Sequence, residues 1–98
     1  MGRPLTNDFG RSDDRPYFLW DEDLSVGELQ ARLAHGPEPE RVRLITKLLR
    51  EARDDEVWIF VTAHDVLVRW DAIAPHLGRR RAFWEFMFHA WKRQKLVA

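Results

Sequence analysis

Four stretches of this chain carry apolar residues at helical spacing, whereas only one run of five, Val57–Val61, has the β-branched and aromatic character of a strand. A single short strand has no partner here, and a sheet needs several strands to stand on its own. The pattern therefore predicts an all-α fold: a compact bundle of four to five helices, or HEAT-like helical hairpins, joined by short turns. The helical domain is expected over residues 17–98. Residues 1–16, with two Gly, two Pro and few aliphatics, read as a flexible, disordered arm.

The local signals place the elements. Tyr17-Phe18-Leu19-Trp20 follows Pro16 and lacks helical spacing, so it reads as an extended segment pressed onto the core. The acidic turn Asp21-Glu22-Asp23 comes next. Ser25 and Glu28 have the spacing of a capping box, which opens a first helix from Val26 to about His35, stopped by Gly36. A second helix is expected over about 40–53, with Val42, Ile45, Leu48, Leu49 and Ala52 on its inner stripe. Residues 55–61 read as a short buried helix. Thr62 and Asp65 repeat the capping-box spacing and open a fourth helix over about 63–73, with Val66, Leu67, Trp70 and Ile73 inside. After a break at Ala74–Gly78, a fifth helix is expected over about 79–96.

The chain has 98 residues and no cysteine, which excludes disulfides, thiolate metal ligands and a thiol nucleophile. Its four histidines, at 35, 64, 76 and 89, never fall at i, i+3 or i+4, so no metal site is expected. The two serines are Ser12, in the arm, and Ser25, explained by its cap; neither suits a catalytic triad. The glycines are dispersed and form no phosphate-cradling loop. These observations predict a protein that is not an enzyme and takes no cofactor. With no apolar run near the roughly 20 residues of a membrane span, a cytoplasmic location and no membrane partner are expected.

Charge is zero overall but unevenly placed. Fifteen acidic and ten basic side chains fall in residues 1–78, against one acidic and six basic in 79–98. Such polarity suits oriented docking. The fifth helix also has an apolar arc too wide for one packing face, formed by Phe83, Trp84, Phe86, Met87, Phe88, Ala90 and Trp91. Two stripes separate on it: Trp84, Phe88 and Trp91 form one, and Phe83, Phe86/Met87 and Ala90 the other. One faces the domain, and the other is a candidate partner surface. Candidate partner-binding residues are Trp84, Phe88 and Trp91, the basic Arg79, Arg80, Arg81, Lys92 and Lys95, and Tyr17 and Trp20 of the opening segment. Three arginines sit unfavourably at the positive end of a helix dipole. A carboxylate, from Asp21–Asp23 or from a partner, would relieve them. The same arginines and lysines beside aromatic rings also fit a nucleic-acid-binding module, and a self-associating helical adaptor is a third reading.

The opening Tyr17-Phe18-Leu19-Trp20-Asp21-Glu22-Asp23-Leu24, the capped helix Ser25–Leu33 and the ending Arg79-Arg80-Arg81-Ala82-Phe83-Trp84-Glu85-Phe86 together resemble small bacterial proteins encoded beside AbiEii-type nucleotidyltransferase toxins. The resemblance spans roughly residues 17–96. It implies the antitoxin half of a toxin–antitoxin pair: a helical protein that neutralises a nucleotidyltransferase toxin by direct protein–protein contact.

Overall fold

The computed structural model describes residues 4–93, and side chains up to residue 90. The fold is all-α. Among the described residues six helices follow one another: α1 (Val26–His35), α2 (Glu38–Glu51), α3 (Val57–Phe60), α4 (Ala63–Leu67), α5 (Trp70–Ile73) and α6 (Arg80–Arg93). Short 3-10 turns cover Tyr17–Leu19 and Ala74–His76, and two-residue strands β1 (Leu5–Thr6) and β2 (Arg15–Pro16) pair in parallel. Among the described residues no helix is long and apolar enough to cross a membrane.

The capping box at α1 is present in full: the Glu28 amide donates to the Ser25 hydroxyl at 3.1 Å, and the Ser25 amide to the Glu28 carboxylate at 2.9 Å. α1 ends at Gly36 without left-handed backbone. The glycine is needed instead for close approach, since a Cβ there would lie 2.6 Å from the Arg32 carbonyl oxygen. Gly36→Ala is therefore expected to cost about 1–3 kcal/mol, the usual penalty for overpacking, read as a lower urea midpoint.

α2 is the central element. It packs against α1 on one side and against α5 and α6 on others, so its buried arc exceeds one stripe. Leu44, Ile45, Thr46, Leu48 and Leu49 are all buried, joined by Ala52 at its end. Leu44 and Thr46 lie outside the stripe expected from periodicity. The helix also starts two residues before the expected position, with Pro39 in its first turn, where a missing N–H costs nothing.

Three expectations change. Residues 4–16 do not form a free arm. The Val26 and Gly27 amides, at the start of α1, donate to the carbonyls of Asp14 (2.9 Å) and Ser12 (3.0 Å), and Phe9 packs edge-on against Phe18 and Phe60. Tyr17–Leu19 is a 3-10 turn rather than extended chain. In extended chain successive side chains point to opposite faces, yet Phe18 and Leu19 are both fully buried. The single-helix expectation for 63–73 also changes, because Val68 and Arg69 form a turn between α4 and α5.

Ion pairs lace α2 to its neighbours. Glu40 accepts from Arg43 Nε (2.8 Å) and Arg32 Nη1 (3.0 Å). The Arg43 hydrogen bond, foremost, holds the Glu40 carboxyl down at about 2, against an ordinary 4.5. Asp21 is held low by its hydrogen bond to Lys47. A carboxylate with a lowered folded value contributes full stability above its unfolded pKa and loses it as pH falls through the folded one. Glu40 should thus help the fold above pH 4.5 and stop doing so by about pH 2. With the partner Arg43 side chain 46% exposed, screening leaves about 1 kcal/mol. Urea midpoints of the wild type and of Arg43→Met should accordingly differ at pH 7 and converge near pH 2.

Candidate functional site

α6 meets the core through Trp84, whose residue is 0% exposed, and Phe88 one turn later. Trp84 stands edge-on to Trp58 (5.7 Å between centroids), and Phe88 stands edge-on to Trp70 (5.1 Å). The indole N–H of Trp84 donates to the Leu49 carbonyl at 2.9 Å. A buried indole needs such an acceptor, and the end of α2 offers one. Of the stripe named as a partner candidate, Trp84 and Phe88 therefore face inward as core residues.

The other stripe is only partly outside, since Met87 is half-buried against the core. Phe86 is 68% exposed and Phe83 36%, with Ala90 half-buried beside them. One signal for this was present in the sequence. Seven residues turn a helix almost twice, leaving an offset of about 20°. Phe86 stands seven residues from both Arg79 and Arg93, so it belongs to a row of arginines rather than to the core seam.

The basic start of α6 is only partly neutralised. Arg81 Nε lies 3.2 Å from Glu85 on the same helix. Arg80 lies over the rings of Phe83 (5.3 Å) and Trp84 (5.8 Å), and Arg79 is exposed. Among the described residues neither Arg79 nor Arg80 has a carboxylate within ion-pair distance. The chain's own acidic turn is engaged elsewhere: Glu22 binds Arg43 at 2.8 Å and Asp21 binds Lys47 at 2.7 Å, both on α2.

The remaining candidates divide. Trp20 is exposed at 62%, with the Lys47 ammonium 6.0 Å from its ring. Tyr17 acts inside the domain. Its hydroxyl donates to Glu56 and accepts from the Arg53 amide at 2.9 Å, and burial, foremost, raises its pKa above the ordinary value. Tyr17→Phe should therefore lower stability by about 1 kcal/mol, measured by thermal melting. Trp91 and Lys92 lie on α6 with side chains outside those described, and Lys95 lies outside the described residues.

A cleft of about 330 Å³ opens between α1, α2 and α4, lined in part by Leu33, Arg41, Phe60, Asp65 and Arg69. Its cations are largely engaged within the fold, although the buried Nε of Arg41 has no hydrogen-bond partner among the described residues. Arg69 binds Glu38 at 2.6 Å and the Asp65 carbonyl at 2.8 Å, and Arg41 donates to the Ala34 carbonyl at 2.8 Å. This is a seam between helices. Among the described residues no group of three or more His, Asp or Glu is placed to hold a metal ion. No protein-family model matches the chain, and no curated protein or solved structure matches it.

Proposed function

We propose that this chain is a non-catalytic, antitoxin-like inhibitor that binds a nucleotidyltransferase toxin of the AbiEii type and neutralises it by direct contact. The observation that carries the reading is the outward pair Phe83 and Phe86 on α6, beside Arg79 and Arg80, which have no carboxylate within ion-pair distance among the described residues. Exposed large aromatics next to uncompensated charge are what a docking surface needs: anchors that bury on contact, and a field that orients the approach. The class of partner comes from the resemblance carried by residues 17–24, 25–33 and 79–86. Inhibition of this kind asks no chemistry of the chain, only occlusion of the enzyme's cleft.

Co-expression with an AbiEii-type nucleotidyltransferase from the same genome tests it. The expected result is a complex that co-elutes in size-exclusion chromatography and growth restored in cells producing the toxin. Free elution of both proteins together with unrelieved toxicity would discard the reading.

A further inference from the structure

We infer that the outer face of α6 is a helix-docking seam, and that its occupant is an acidic amphipathic helix of another protein. The inference rests on the docking reading only in taking this face as a protein-binding surface. Phe83, Phe86 and Ala90 stand at i, i+3 and i+7, the spacing by which one helix packs along another. The first two are exposed, and Ala90 is small enough to let a second backbone come close. The seam runs from the Arg79–Arg81 end of the helix to the Lys92, Arg93 end.

Charge selects the occupant. A second copy of α6 laid antiparallel would set Arg79–Arg81 against Lys92 and Arg93, and a parallel copy would set each cluster against itself. Like charges meet in both arrangements. The helix carries one acidic residue, Glu85, and it already pairs with Arg81. Asp21 and Glu22 are held on α2 by Lys47 and Arg43, so those two carboxylates are not available to cover the arginines. A partner with carboxylates flanking an apolar stripe satisfies both the rings and the arginines. RNA would use the arginines but leave the Phe–Phe–Ala spacing without purpose, and it would meet the Glu85 carboxylate.

The test uses the full chain and two synthetic helical peptides with leucine at heptad a and d positions, one flanked by glutamates and the other by lysines. Fluorescence anisotropy should show the glutamate peptide binding at least tenfold more tightly, weakening with added salt. Phe86→Ser should reduce that binding by roughly 30-fold, the scale of an interface anchor, and Arg79→Glu should reduce it by roughly tenfold. Both positions are exposed, so circular dichroism melts should match the wild type. Equal binding of the two peptides, indifference to Phe86→Ser, a Phe86-dependent homodimer in sedimentation, or displacement of the peptide by mixed-sequence single-stranded RNA would each overturn the seam as assigned. A nucleotidyltransferase that fails to co-elute, while the glutamate peptide binds, removes the inhibitor reading and leaves the seam standing. Toxin binding untouched by both substitutions does the reverse.

Discussion

Trp84→Ala will leave the domain at or near its unfolding threshold at 25 °C. Truncating a fully buried tryptophan costs about 3–5 kcal/mol, against a total of roughly 5–10 kcal/mol for a domain of this size. The loss concentrates at one joint. The Leu49 carbonyl near the end of α2 would normally accept from the amide four residues later, at Arg53. That amide instead donates to the Tyr17 hydroxyl, and the Trp84 indole N–H takes its place on Leu49. Two side chains from opposite ends of the sequence thus close the same helix terminus. Trp84→Phe keeps an aromatic ring but orphans the Leu49 carbonyl, at about 1–3 kcal/mol. The double variant Tyr17→Phe/Trp84→Phe frees both members of a natural helical bond. It should cost about 1 kcal/mol less than the sum of the singles. Urea titrations of the four proteins measure this, and strict additivity would show that the two side chains act independently.

The parts of this fold legible in the sequence are those decided within four or five residues. Both capping boxes, Ser25/Glu28 and Thr62/Asp65, form as their spacing indicates, and α1 spans Val26–His35 as expected. Long-range contacts decide the rest. α4 stops after Leu67 because the Arg69 guanidinium, anchored to Glu38 on α2, donates to the Asp65 carbonyl. The Arg69 amide turns to Val66 instead. No local pattern announces that tether. The same holds at the candidate site. The seven-residue spacing of Phe86 from Arg79 and Arg93 sets that ring outside, but nothing local says what the inner stripe meets. The inner stripe is fixed by the Leu49 carbonyl, 35 residues away, which accepts from the Trp84 indole N–H. With Trp84 inward, Phe83 and Phe86 remain outside.

The opening residues offer the second large effect. A chain begun at Pro16 loses Phe9, which stacks with Tyr17 at 6.3 Å and stands edge-on to Phe60 at 5.1 Å. Withdrawing a partly buried phenyl ring from such contacts costs about 1.5–2.5 kcal/mol. It also loses the Ser12 and Asp14 carbonyls. These accept from the first amides of α1, donors that no helix can satisfy from within. Water can replace those acceptors, so their loss adds no more than about 1 kcal/mol. The sum, about 1.5–3.5 kcal/mol, corresponds to a fall in melting temperature of roughly 6–28 °C for a domain of this length. A freely moving arm would predict no change, so a truncated protein melting with the wild type would show that residues 4–15 do not belong to the folded unit. A single Phe9→Ala substitution should reproduce over half of the fall, because the ring carries more of the loss than the two carbonyls.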